Sequence, residues 1–355
     1  MSSLERLRAK MAEKGITAAL LTEPTNIRWI SGFTGSSSVC VITADKAVFI
    51  TDSRYTIQAN DEVKELEVRW FQSPKNQEEM IAEAFSDLGV TEVWFESSLT
   101  YGGYDAKVKK HTAQKWNVMP DLVAELRMIK TAEEIAKIKT ACKLADACME
   151  HVSRLLQVGV REYDICLDLE FFLKRNGAVP AFDPIVVSGP NSAKPHGKPG
   201  ERKLERGDFV TIDLGAKLNG YNSDMTRTFV IGEASDRHAE IYNQVLKAEV
   251  ECCKLLKPGT NGVAVDAVAR EILDEMGLAQ YFGHGLGHGL GLSVHDPGGL
   301  SPRSTNAIEV GQVWTVEPGV YIDGFGGVRI EDDVLVTDGE PEILTFFPKE
   351  LMVLG

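Results

Sequence analysis

The chain has 355 residues, enough for two domains with full-sized cores. Hydrophobic residues make up 43% and charged residues 25%, an ordinary globular composition. The net charge of −14 excludes the basic footprint that nucleic acid or an anionic membrane surface requires, and no apolar run reaches the ~20 residues of a membrane span. The segment Met1–Arg8 reads as a charged amphipathic helix without a signal-peptide core. Six cysteines, none in a Cys-x-x-Cys pair, read as buried reduced thiols of a cytoplasmic protein.

Leu4, Leu7 and Met11 recur at helical spacing, and Gly15 supplies the stop. Strands are expected at Ile16–Leu21, Ser38–Ile42, Ala47–Thr51 and Glu92–Glu96, with helices at Asn76–Leu88 and beyond Tyr104. A hydrophobic, glycine-rich stretch, Asn26–Gly35, separates the first two strands. This α/β region carries His111 and no acidic cluster, and Asp52 with Arg54 reads as a structural ion pair. Leu122–Lys130 is expected to connect it to a second region, so the domains are set at 1–125 and 126–355. A capping box, Thr131 with Glu134, opens a helix that ends before Gly159, and a second helix spans about Glu162–Asn176. Strands Phe209–Ala216 and Tyr221–Ile231 flank an Asn219-Gly220 turn signal. Helices Glu240–Leu256 and Val263–Met276 follow, then strands Gln312–Ile322 and Gly327–Val336. His111, His151 and His238 are expected at the surface or on helices.

One segment is written twice. Glu205–Gly220 and Glu309–Gly324, offset by 104 residues, share Glu, Gly, Thr, Gly and Gly at matching places. Each holds one carboxylate after a hydrophobic strand, Asp213 or Glu317, and each is followed by another acid, Asp224 or Glu331. Asp213 and Asp224, on two arms of one tight hairpin, are expected to lie nearly opposite each other on one face. Two bare carboxylates that close raise each other's pKa, and a divalent cation turns that repulsion into attraction. Between the copies lies Gly283-His284-Gly285-Leu286-Gly287-His288-Gly289, the densest histidine cluster of the chain. Four carboxylates with His288 would balance two divalent ions, which points to a two-metal hydrolase. No Gly-x-Gly-x-x-Gly or Gly-Lys-Ser/Thr register fits the glycines, which excludes a phosphate loop.

The motifs Pro195-His196-Gly197, Ile212-Asp213-Leu214-Gly215, Asp224-Met225-Thr226-Arg227, Gly283-His284 through His288 to His295-Asp296, Thr315-Val316-Glu317-Pro318-Gly319 and Val328-Arg329-Ile330-Glu331 form an ordered set. In them the chain resembles the metallopeptidases with the pita-bread fold, in particular the aminopeptidase P and prolidase branch. Asn26–Gly35 and Thr51–Tyr55 resemble the same branch, so the resemblance covers nearly the whole chain. It implies a small N-terminal α/β domain followed by a pseudo-two-fold pita-bread catalytic domain of α/β (α+β) class. It implies Asp213, Asp224, His288, Glu317 and Glu331 as ligands of two divalent ions, usually manganese or cobalt, with zinc possible on the donor set. Asp224 and Glu331 would bridge the ions, which would polarise the scissile carbonyl and activate the attacking water. Glu317 would move the proton of that water, His295, His196 and His284 would line the substrate, and Arg329 would hold ligand carboxylates in place. A homodimer and proline-containing peptides as substrates are further implications.

Many prolidases carry an arginine that clamps the carboxylate of a dipeptide where this chain has Gly299, in His295-Asp296-Pro297-Gly298-Gly299. Arg303 could substitute from four residues on. The missing clamp favours an Xaa-Pro aminopeptidase acting on longer peptides, with an Xaa-Pro dipeptidase as the alternative. A non-catalytic binding module on the same fold is disfavoured, because all five ligands are present.

Overall fold

A computed structural model describes all 355 residues, which divide into two units, Met1–Arg127 and Met128–Gly355. In the first, α1 (Ser3–Glu13) buries Leu4, Leu7 and Met11 on one face, behind a capping box between Ser2 and Glu5. The order continues β1 (Ala18–Leu21), α2 (Pro24–Ser31), β2 (Ser38–Thr43), β3 (Ala47–Asp52), α3 (Thr56–Glu62), β4 (Glu67–Phe71), α4 (Gln77–Asp87), β5 (Glu92–Glu96), α5 (Tyr101–Lys110), β6 (Lys115–Met119) and α6 (Leu122–Met128). The six strands form one sheet, β4-β3-β2-β1-β5-β6, antiparallel at its centre and parallel at both sides. The central strands are buried except at Ser38 and Asp52, so they read as nearly continuous apolar runs.

Several elements of this unit differ from expectation. The stretch Asn26–Gly35 begins as part of a helix, α2. Pro24 presets its first turn, Gly32 ends it at φ +78°, and the buried Glu96 carboxylate accepts from the Glu23 amide (2.7 Å) and the Asn26 side chain (2.7 Å). The connector after Asp121 is helical over Leu122–Met128. His111 is buried, its Nε2 2.9 Å from Glu78 and its ring against Phe85, because that carboxylate satisfies it. In the second unit His238 lies on a helix, Asp236–Lys254, as expected, and is buried there, its Nδ1 2.8 Å from the Ser235 hydroxyl. Arg54 meets Asp52 through two nitrogens, at 2.8 and 2.9 Å, the ion pair expected there. All six cysteines are free and buried.

The second unit repeats a plan. α7 (Ala132–Ser153) and α8 (Glu162–Arg175) precede β7 (Val179–Pro180), β8 (Ile185–Ser188), β9 (Phe209–Leu214), β10 (Ala216–Leu218), β11 (Tyr221–Asn222) and β12 (Met225–Ile231). α9 (Asp236–Lys254) and α10 (Gly262–Asp274) precede β13 (Gly287–Gly289), β14 (Asp296–Leu300), β15 (Val313–Val316), β16 (Gly319–Ile322), β17 (Gly326–Arg329) and β18 (Asp332–Leu335), with β19 (Glu342–Ile343) and β20 (Met352–Leu354) last. Each helix pair packs on its own sheet. Met149, Ile165 and Leu169 share a core with Val210, Ile212 and Phe229, and Tyr242, Val245 and Val265 share one with Trp314, Val316 and Val334. The sheets are β20-β12-β9-β8 and β14-β13-β15-β18-β19. The helix pair and hairpin written twice in the sequence are thus two α/β halves of one domain.

Arg227 ties this domain to its last segment. It is 1% exposed on β12, pairs with Asp332 at 2.7 Å, and donates to the carbonyls of Glu331 (2.6 Å) and Phe347 (2.7 Å). Asp332, wholly buried, also meets Lys349. Replacing the arginine leaves carbonyls unpaired and halves the cationic shell of Asp332. Arg227→Leu is expected to lower the unfolding free energy by about 3 kcal/mol, read as a lower urea midpoint at unchanged m-value.

Candidate metal centre

The turn between β10 and β11 places Asn219 at φ +52° and Gly220 at φ +89°, the primed two-residue hairpin its sequence encodes. Pairing from β10–β11 runs on into β9–β12, where Asp213 faces Thr226 and Leu214 faces Met225. Asp224 therefore lies diagonally from Asp213 and not opposite it, two residues off the facing position. The Asp224 amide donates to Asp333 Oδ2 at 2.9 Å, which fixes the backbone that carries it.

In the other half, His288 stands on β13 between two glycines that allow close strand approach. A Cβ at Gly287 would lie 2.0 Å from the Thr315 carbonyl oxygen, and one at Gly289 would lie 2.3 Å from that of Pro297. The His288 amide donates to Thr315 Oγ1 (3.0 Å), and that hydroxyl donates to Glu317 Oε1 (3.3 Å). Thr315 is the threonine kept in both copies of the doubled segment.

Three threonine hydroxyls sew residues 327–331 onto the first half. Thr211 donates to the Gly327 carbonyl (3.2 Å), Thr228 to that of Arg329 (2.9 Å), and Thr226 to Glu331 Oε2 (2.6 Å). Glu331 thereby comes beside Asp224, and ligating atoms of Asp224, His288 and Glu331 lie within 4.8 Å of one another. His288 Nε2 is 3.7 Å from Asp224 and 3.4 Å from Glu317. Asp213 accepts from Arg329 Nη2 at 2.7 Å through Oδ2, while its buried Oδ1 has no partner.

Burial and mutual repulsion push the carboxyls of Asp224 and Glu331 well above the usual range, and burial with Asp213 nearby raises Glu317 to about 8. Burial, reinforced by His295, holds His288 down at about 4, so its imidazole is neutral and ready to coordinate. Buried acids without counter-charge, an orphaned carboxylate oxygen and a neutral imidazole fit divalent cations.

The site opens on a cavity of about 730 Å³. His196, His284, His295 and Arg329 line it with the five candidate ligands. His196 and His295 are exposed, and the His295 ring lies 4.2 Å from that of His288. His284 is half-buried, 2.9 Å from the Tyr321 hydroxyl, and burial pulls its imidazole down to about 4. Arg329 reaches Tyr321 (2.9 Å) as well as Asp213. Arg303 is exposed and outside the lining, so it does not stand in for an arginine at position 299. Tyr321, Thr226 and Thr315 went unrecognised in the sequence. Only the recurrence of threonine in the doubled segment signalled one of them.

Two sheeted halves that bring acids and a histidine to one cavity define a metallohydrolase-type site on a pita-bread scaffold. Residues 136–338 match the model of metallopeptidase family M24, and residues 4–129 match the creatinase/prolidase N-terminal domain; the chain belongs to metallopeptidase family M24. It is a metallo-exopeptidase. It is 36% identical over 352 residues to an Xaa-Pro dipeptidase of Pyrococcus furiosus, covering 98% of this chain and 99% of that one. An Xaa-Pro dipeptidase structure from Bacillus anthracis superposes with a TM-score of 0.96 at 42% identity, covering 99% of both chains. An X-Pro aminopeptidase structure from Thermotoga maritima superposes with a TM-score of 0.90 at 36% identity, covering 99% of this chain and 100% of that one.

Gly287→Ala is expected to force β13 away from β15, costing about 1–3 kcal/mol of stability and displacing His288. A lower melting temperature together with weaker metal binding checks this. An unchanged metal affinity would show that His288 does not depend on that approach.

Proposed function

We propose that this chain is an Xaa-Pro dipeptidase that holds two divalent ions, manganese or cobalt, between Asp213, Asp224, His288, Glu317 and Glu331. The observation that carries it is the convergence of Asp224, His288 and Glu331 beneath a cavity walled by His196, His284 and His295, in a chain alike over its full length to proteins named Xaa-Pro dipeptidase. Preference for longer peptides, expected from Gly299 alone, gives way to the dipeptide on that likeness.

When bound, the ions supply Lewis acidity at the scissile carbonyl and lower the pKa of the attacking water. Glu317, anchored by the Thr315 hydroxyl, takes the proton of that water and delivers it to the proline nitrogen as the bond breaks. His295 and His196, exposed on the cavity wall, donate hydrogen bonds to the substrate carbonyl as negative charge grows on its oxygen. Arg329 keeps Asp213 oriented, and Tyr321 fixes Arg329 and His284 in turn. An Xaa-Pro bond has no N–H, so the site needs no acceptor for one at the scissile nitrogen.

With added manganese or cobalt, kcat/KM for Ala-Pro is expected to exceed that for Ala-Pro-Gly-Gly by at least about tenfold, one good polar contact to the free carboxylate. Equal or better cleavage of the tetrapeptide would assign an aminopeptidase, and cleavage of no Xaa-Pro peptide would refute both. Asp224→Asn is expected to bind less metal by elemental analysis and to lose the rise in melting temperature that metal gives the wild type. Full metal content in that variant would contradict its role as a ligand.

A further inference from the structure

A dipeptidase must recognise a free α-carboxylate one residue, ~3.5 Å of chain, beyond the bond it cuts. Without an arginine at position 299, the cation that does so must come from elsewhere in the cavity. Arg329 is not available: its guanidinium already donates to Asp213 (2.7 Å), Tyr321 (2.9 Å), Thr226 (3.1 Å) and the Pro195 carbonyl (3.3 Å). The outer lining is otherwise unfavourable to an anion, since Asp183 and Glu170 both face it and only Glu170 has a cation, Lys174, at 3.1 Å.

One lining cation remains. Lys198 is exposed, lines the cavity and makes no ion pair. Its side chain is free while its backbone is not. The Lys198 carbonyl accepts from Asn191 Nδ2 (3.3 Å), and Pro199 follows. The Glu162 carboxylate, 0% exposed, then accepts from the Gly200 amide (3.0 Å), the Asn191 side chain (3.0 Å) and the Ser188 amide (2.7 Å). A pinned backbone limits the ordering cost of a contact to the lysine stem itself. The segment is also the one that carries His196, two residues before Lys198, and both line the cavity.

We propose that Lys198 is the specificity-determining residue that receives the substrate's α-carboxylate, in place of the arginine missing at position 299. The assignment rests on the dipeptidase reading and says which side chain produces it. A lysine is a point charge on a flexible stem, so it selects for a carboxylate with less geometric stringency than a bidentate arginine.

The test compares Ala-Pro with the uncharged Ala-Pro-amide, in the metal-loaded wild type and in Lys198→Met and Lys198→Arg. The wild type is expected to favour Ala-Pro by about tenfold to a hundredfold in kcat/KM, the scale of one charge-assisted hydrogen bond. Lys198→Met is expected to bring the two substrates within about threefold of each other, with the change in KM and not in kcat, and Lys198→Arg to restore the preference. Calorimetric binding of proline against prolinamide should lose its discrimination in Lys198→Met, independently of turnover. A Lys198→Met enzyme that keeps the wild-type preference overturns the assignment while leaving the dipeptidase reading intact. A wild type that cleaves neither substrate overturns the dipeptidase reading and the assignment together.

Discussion

The second unit is built around a concentration of buried negative charge. Asp213, Asp224, Glu317 and Glu331 converge on one cavity, and wholly buried Asp332 and Asp333 follow directly in the chain. Such a cluster is costly to desolvate, and every member but Asp224 accepts from a specific donor: Arg329 on Asp213, Thr226 on Glu331, Thr315 on Glu317, Arg227 with Lys349 on Asp332, and the Asp224 amide on Asp333. The donors leave the ligating side of the cluster unneutralised. Asp213 keeps one oxygen on the protein and one without any partner. That orphaned Asp213 oxygen is one that a cation would satisfy.

This constraint explains why the fold is local in some places and remote in others. The hairpin of Asp213 and Asp224 closes through two positive-φ residues next to each other in the chain. Bringing Glu331 to Asp224 instead requires three hydroxyl-to-chain contacts across more than a hundred residues. The cost of ordering that distant segment is offset by burial of Val320, Val328 and Ile330 in the core beneath it.

Legibility in the sequence followed the same division. Features set by neighbours in the chain were readable: the Asn219-Gly220 turn, the Thr131 capping box, the paired halves and the acids that end each strand. Features set by tertiary partners were not. A threonine in Phe209–Leu214 reads as a strand former whether or not its hydroxyl meets Gly327, and Tyr321 reads as an ordinary strand aromatic. His111 sits among lysines and still proves buried, because its partner Glu78 lies 33 residues away. Short α2 was hidden by a glycine-rich context, its start fixed by Glu96 at the end of β5, the strand beside β1. Gly299 shows the hazard of reading a single position: an absent arginine says what one wall lacks, and the cations elsewhere in the cavity appear only in three dimensions.

The repeated helix pair and hairpin have a consequence for how this protein came about. Two copies of one α/β unit meeting around a shared centre have the arrangement of a two-fold homodimer whose subunits have been joined into a single chain. In such an ancestor every residue at the centre occurs twice, so a histidine offered by one copy is offered by the other. Duplication followed by fusion lifts that symmetry. It allows His288 to arise on one side only, and it allows the matching strand of the other half to keep an aspartate where its twin carries a glutamate. One centre can then meet the amine end of a peptide and its carboxylate end with different side chains.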